Sequence, residues 1–297
     1  MTFSEQIKYQ FKSGQAHISL IYINLAVFFI ARIIQIVCKL FLLKNFDLSS
    51  FLAMPYSLDL LSSKFWTPIT YMFYHQEFGH IFFNMLALYW FGGLFLSKFS
   101  GKQLISVYVF GGLVGAAFFL LSFNTIPYYS LTYRSDSILL GASGGIIALI
   151  VAVALWLPNL EIRLFLIATI KLKYIAIFFV LVSLFGLDGT NAGGQMAHLG
   201  GAVAGWLFVF FLKRTNTDIT AWITMIINWF TTIFRRRKKP KIVYSKPDYS
   251  RMTDAEFNMN KAKNMEEIDR ILDKIKASGY ESLTAAEKQF LFSQGKK

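Results

Sequence analysis

The sequence predicts an all-α membrane protein, a bundle of six transmembrane helices followed by a small helical cytosolic tail. Composition is the first observation behind this prediction. Of the 297 residues, 55% are hydrophobic and only 16% are charged, with a mean hydropathy of +0.47, whereas soluble domains run near a quarter charged. The second is spacing. Apolar stretches approaching 20 residues, about the length of helix that crosses roughly 30 Å of hydrocarbon, recur along the chain, with lysine and arginine gathered in alternate connections.

The apolar segments run Ile18 to Leu40, Gly79 to Leu96, Leu104 to Phe123, Ile138 to Leu157, Leu172 to Leu187 and Ala192 to Leu212. Arg32 interrupts the first and is expected to face the bundle or water, since ionisable side chains inside membranes seldom face lipid. Lys8 and Lys12 precede the first segment, Lys98 and Lys102 follow the second, and Arg163 and Lys171 follow the fourth. Lys213, Arg214 and the run Arg235 to Lys239 follow the sixth, while the alternate connections hold only Lys44, Lys64 and Arg134. Basic residues favour cytoplasmic loops. Both termini are therefore expected in the cytoplasm, and the second, fourth and sixth segments start from the external side. No small-residue cleavage site follows the first segment, which reads as an anchor that stays.

The domain organisation expected from this pattern is a cytosolic N-terminus (1–17), the membrane domain (18–213), an interfacial amphipathic helix with its basic run (214–239) and a helical cytosolic tail (240–297). The apolar stretch Ile219 to Phe234 would rise about 24 Å at 1.5 Å per residue, short of a bilayer. Threonines and Asn228 break its apolarity, so it is read as lying in the interface and not as a seventh span. In the tail, Thr253 with Glu256 and Thr284 with Glu287 have the spacing of capping boxes. Ile268, Ile271, Leu272 and Ile275 form a stripe at helical spacing, and Gly279 is placed to end the helix.

Several function classes drop out. The one cysteine, Cys38, allows no intramolecular disulfide, and no Cys/His cluster has zinc-site spacing, so no metal or cofactor is expected. A net charge of +13 could suit nucleic acid, but its basic residues flank apolar segments, a placement that suits anionic lipid instead. Gly141-Ala142-Ser143-Gly144-Gly145 fits G-x-S-x-G, the nucleophile elbow of soluble α/β-hydrolases. Such folds need short strands alternating with amphipathic helices, and the flanking sequence is continuous apolar helix.

Topology supplies a different reason to notice Ser143. With the fourth segment starting at Ile138, the serine sits about 8 Å below its external end, and His198 lies a similar distance into the sixth. His80 and Asn84 open the second from the same side, one helical turn apart on one face. A serine hydroxyl is a weak nucleophile until a base takes its proton, and neutral imidazole is such a base. Ser143 and Gly144 fall in the first turn of the fourth segment, where N–H groups lack intrahelical acceptors and can serve an oxyanion. Asn84 and His80 could complete that site. Gly201 and Gly205 share the face of His198, a strip of small residues that lets helices pack backbone to backbone, and Gly141 gives the serine segment similar access. No carboxylate shares this depth, so the reading is a Ser143–His198 dyad.

From Phe65 to Leu212 these residues resemble the rhomboid family of intramembrane serine proteases. "GASG" (Gly141 to Gly144) resembles the family's G-x-S-G, "AHLGGAVAG" its histidine helix, and "HIFFNMLALYWFGG" its second-helix H-x-x-x-N segment. The resemblance implies a rhomboid-like six-helix bundle, Ser143 as nucleophile and His198 as general base and acid. It also implies an oxyanion hole from the Ser143 N–H, His80 and Asn84. Substrates would be transmembrane proteins cut within or beside a membrane segment, with membrane lipids as the other partner and a bacterial inner membrane as the location. Thr67 follows Trp66 where many members carry arginine, and Ile147 stands where many carry a tyrosine beneath the histidine. The alternative is a catalytically inactive rhomboid-like binder of membrane clients, which would be expected to lose the serine or the histidine.

Overall fold

The computed structural model describes residues 16–42, 47–132, 137–164, 168–234 and 253–294. The expected cytosolic N-terminus up to residue 15, Lys44, Arg134 and the basic run Arg235 to Lys239 lie outside them. The chain divides between Ile233 and Phe234 into two compact units, each described by itself.

The first unit begins with α1 (Ala16–Leu40). The described residues of the connection that follows hold α2 (Leu48–Leu52), β1 (Met54–Pro55), α3 (Leu58–Ser63), α4 (Thr67–Thr70) and a 3-10 turn (Tyr71–Phe73). Then come α5 (Phe78–Leu96), α6 (Gly101–Thr125), the short α7 (Pro127–Thr132), β2 (Ile138–Leu139) and α8 (Ser143–Trp156). The hairpin β3 (Glu161–Leu164) and β4 (Ala168–Lys171) leads to α9 (Leu172–Phe185), α10 (Ala192–Thr215) and α11 (Ala221–Phe234). The second unit holds α12 (Asp254–Ser278), a 3-10 turn (Tyr280–Ser282) and α13 (Ala285–Gln294).

Helices α1, α5, α6 and α10 are long and apolar enough to cross a membrane, while α8 and α9 are apolar but have 14 residues each. At 1.5 Å per residue, such a helix spans about 21 Å. The shortness of α8 is explained by its place. Every residue from Gly144 to Ala154 is buried, and α5, α6, α9 and α10 all pack against it. A helix apolar on all sides belongs in the middle of a bundle. There, non-helical backbone can precede it because protein, not lipid, surrounds that backbone.

This corrects the fourth segment. Helix begins at Ser143, not Ile138; Met54 and Pro55 pair antiparallel with Leu139 and Ile138, so these residues run extended. Gly141, at φ +109°, turns the chain into the helix and donates its N–H to the Tyr71 carbonyl at 2.9 Å. Positive φ of this kind favours glycine. The β3–β4 pair, within the connection after α8, likewise satisfies its backbone by pairing. The fifth segment stops two residues early: Gly186 ends α9 and donates to the Val182 carbonyl.

The connection from Asp47 to Glu77 is pinned to the bundle by buried tyrosines. Tyr71 donates its hydroxyl to the Gly112 carbonyl at 2.7 Å, and Tyr108 donates to the Met72 carbonyl at 2.9 Å. Trp66 Nε1 donates to Phe51 at 2.9 Å. Thr67, the departure from the family pattern, is buried and turns its hydroxyl back onto the Lys64 carbonyl at 2.8 Å. His17 is buried; a Cβ on Gly92 would meet its Cβ at 2.7 Å. Arg32 is exposed on the outside of α1, where it reaches Gln35 at 3.4 Å.

Helix α10 continues to Thr215, two residues past the expected edge of the membrane domain, and Asn216 in the left-handed region ends it. Helix α11 turns its buried Ile223 inward, and Thr224 shares a 2.7 Å hydroxyl contact with Ser106 near the start of α6. In the second unit both capping boxes form, at Thr253 with Glu256 and at Thr284 with Glu287. Ile271, Leu283 and Phe290 make a small core with Ile268 and Ile275 against it. Leu272, expected in that stripe, is 50% exposed. It follows Ile271 by one position, which rotates it by about 100° on a helix of 3.6 residues per turn.

Candidate active site

Three helices approach with almost no side chain between them. A Cβ on Gly201 would run into the carbonyl oxygen of Gly144, and one on Gly205 into that of Ala148. On the other side, a Cβ on Gly115 would lie 2.7 Å from the Ala197 carbonyl. Small residues at these positions thus let α10 press against both α6 and α8, the close packing such strips permit in membranes.

The result is that His198, on α10, meets Ser143 at the first residue of α8. Its Nε2 lies 2.7 Å from the Ser143 Oγ, a strong hydrogen-bond distance. On the other edge of the ring, Nδ1 lies 3.2 Å from Gln195 Oε1 and 3.3 Å from Ser183 Oγ. Ser183 is buried on α9 and donates its own hydroxyl to the Phe179 carbonyl at 2.8 Å. Neither Gln195 nor Ser183 was singled out in the sequence. Gln195 precedes His198 by three positions and so shares its face, a signal that was available; Ser183 gave none.

Helix α5 brings the remaining groups. His80 and Asn84 line the same cavity as Ser143 and His198, a space of about 1470 Å³. Asn84 donates to the His80 carbonyl at 3.0 Å and approaches His75 Nε2 at 3.3 Å. That same nitrogen receives the Ala142 N–H, also at 3.3 Å. His75 is buried and links the backbone just before Ser143 to the Asn84 amide. Gly141 packs on His80: a Cβ there would lie 2.7 Å from the ring.

Gly144, expected to lend its N–H to the oxyanion hole, follows Ser143 in the first turn of α8. Its Cα faces Ala197 O, Gly111 O and the Tyr71 hydroxyl, between α6 and α10, while Ser143 and Ile147 line the cavity. The α-carbon face of Gly144 thus serves the packing of α8 against α6 and α10. Asp188, the carboxylate closest in sequence before His198, is exposed, and its carbonyl accepts from the Tyr128 hydroxyl. No carboxylate occurs among the buried polar side chains described. Among the described residues no cluster of histidine, cysteine or carboxylate groups has metal-binding geometry.

Gln76, Glu77, Thr190 and Asn191 add polar groups to the cavity's lining, and most of its other lining residues are apolar. Phe83, Ala87 and Trp90 of α5 form one wall, and Tyr174, Ile175 and Phe178 of α9 form the other. A polar serine–histidine pair thus sits at the end of a greasy cleft between two helices of a membrane bundle, a site that defines an integral membrane protein of the rhomboid class. The rhomboid domain model matches residues 62–215, and the chain belongs to the rhomboid family. It is 28% identical over 194 residues to RHOMBOID-like protein 12, mitochondrial, of Arabidopsis thaliana, a match covering 62% of this chain and 54% of that protein. The chain thus spans about half the length of that curated relative. A second model, for a family of unknown function (DUF6576), matches residues 252–295.

Proposed function

We propose that this chain is an intramembrane serine endopeptidase that cuts other membrane proteins within or beside their transmembrane segments. The observation that carries the reading is the 2.7 Å contact between Ser143 Oγ and His198 Nε2 at the end of an apolar cleft. In the first step Ser143 gives its proton to His198 and its oxygen attacks the scissile carbonyl. The oxyanion is met by the Ser143 N–H, His80 and Asn84, with Asn84 exchanging its long contact to His75 for the substrate. His198 then returns the proton to the leaving amine, and water, activated by the same imidazole, releases the acyl group.

The apolar walls of α5 and α9 suit a transmembrane segment as substrate, and the polar end suits a stretch whose helix has opened to expose its carbonyl. The distribution of lysine and arginine supports cytoplasmic termini, with the dyad nearer the external face. Exposed Trp222, Met225 and Trp229 support α11 as an interfacial helix. The bacterial cytoplasmic membrane is the location the family resemblance favours, and the partners are membrane proteins and lipids.

The test is cleavage of a model transmembrane substrate by purified protein in liposomes. Ser143→Ala and His198→Ala should each abolish cleavage. Wild-type rates in both variants would overturn the reading, and binding without cleavage by the unmodified chain would favour an inactive binder.

A further inference from the structure

We propose that Gln195, backed by Ser183, is a positioning residue that sets the tautomer and the plane of the His198 ring. This deepens the protease reading and rests on it. A neutral imidazole carries one N–H, on either nitrogen. Nδ1 faces the Gln195 Oε1 at 3.2 Å and the Ser183 Oγ at 3.3 Å. The amide oxygen can only accept. The Ser183 hydrogen is already committed to the Phe179 carbonyl at 2.8 Å, so its oxygen also offers lone pairs. Two acceptors at one nitrogen hold the proton there. Nε2 is thereby left bare, and it is the nitrogen 2.7 Å from Ser143. In the opposite tautomer Nε2 would carry a hydrogen and could not take the serine proton.

Gln195 is itself held in place. A Cβ on Gly186, which ends α9, would lie 3.0 Å from Gln195 Cγ and Cδ and 3.1 Å from Nε2. The amide therefore packs against the Gly186 backbone, where an added methyl would push it by a few tenths of an ångström. Ser183 and Gly186 both belong to the end of α9, so the histidine of α10 is steadied from the neighbouring helix. Ile147, one turn after Ser143, offers a hydrocarbon wall and no hydrogen bond. The remaining ionisable group facing the ring is His80 of α5, with Glu77 beyond it. Helix α8 carries no ionisable side chain; on α6 the Tyr108 hydroxyl is held by the Met72 carbonyl, on α10 the Lys213 ammonium is held by the Leu155 carbonyl, and on α9 Tyr174 lines the cavity with Lys173 over its ring.

The test uses the full chain in liposomes, with kcat and KM on a model transmembrane substrate and the rate of Ser143 labelling by a fluorophosphonate. In that labelling the serine oxygen bonds phosphorus, fluoride leaves and the proton passes to His198, so the rate reads activation of the dyad without a protein substrate. Gln195→Leu is expected to lower kcat and labelling about ten- to hundredfold, the worth of one buried hydrogen bond, with KM and Tm unchanged. Gln195→Glu keeps an acceptor oxygen at the same reach and is expected to restore much of the rate. Gly186→Ala, which displaces the amide without touching it chemically, is expected to lower kcat in the same way, and decides the matter if Gln195→Leu does not fold. Wild-type kcat in Gln195→Leu, or no rescue by Gln195→Glu, overturns the proposal. If Ser143→Ala matches the unmodified chain towards substrate and probe, the protease reading fails first, an outcome distinct from an active wild type with a fully active Gln195→Leu.

Discussion

The carbonyl of Gly144 lies against the Cα of Gly201 so closely that no methyl group fits between them. One residue before that carbonyl is Ser143, and three residues before that Cα is His198. The distance between the Ser143 hydroxyl and the His198 imidazole is thus set by a backbone contact between their helices.

Gly201→Ala should therefore separate α8 from α10. Overpacking of this kind costs roughly 1–3 kcal/mol, visible as a lower Tm in detergent. Fluorophosphonate labelling of Ser143 should fall with it, because the hydrogen bond to His198 lengthens. A variant with lowered Tm but unchanged labelling would show that the dyad tolerates the shift.

Gly141→Ala faces two obstacles at once. Its φ of +109° is strained for any L side chain, and the new Cβ would lie 2.7 Å from the His80 ring. Backbone strain of this sort costs about 1–3 kcal/mol. The expected outcome is a loss of both thermal stability and peptidase activity, measured on the same preparation. Gly79→Ala, where a Cβ meets nothing, is the matched control.

Asn84→Ala should lower kcat by about 10² to 10³ if the amide is an oxyanion donor, with the protein still folded. His75→Leu acts differently. It leaves the Ala142 N–H without its partner, and an unsatisfied buried donor costs about 1–3 kcal/mol. Its Tm should therefore drop where that of Asn84→Ala holds, a contrast that thermal unfolding and kinetics together would read.

The tail offers a pH test independent of the membrane domain. The Thr284 N–H, together with the Lys274 ammonium at 2.9 Å, holds the Glu287 carboxyl down at about 2 against an ordinary 4.5. A carboxyl depressed in the folded state stabilises it above the unfolded value and loses that contribution as pH falls through the folded one. The start of α13 should accordingly stay intact above about pH 4.5 and loosen between there and about pH 2. Methyl NMR signals of Leu283 and Ile271 would follow it, and Glu287→Gln should remove this part of the pH dependence.

Much of this molecule was legible in its residues. Long apolar segments announced α1, α5, α6 and α10 because a bilayer-crossing helix must hide every peptide group within itself. The chain's polar residues were few enough at that depth for Ser143, His80, Asn84 and His198 to stand out. The capping boxes of the tail were equally plain, since each depends on residues three positions apart.

What stayed hidden depends on partners distant in sequence. The apolar residues 138 to 142 read as helix until Met54 and Pro55 supply a strand to pair with, and the helix then starts at Ser143 itself. Ser183 is one serine among several until α9 lies beside α10. His75 gains a purpose only when Ala142 arrives at 3.3 Å. Local sequence specifies backbone propensity, lipid solubility and which reactive groups exist, because those follow from neighbours within a turn or two. Which nitrogen of an imidazole keeps its proton, and how near an alcohol comes to the other, is decided by contacts between helices, and only the folded bundle brings those into being.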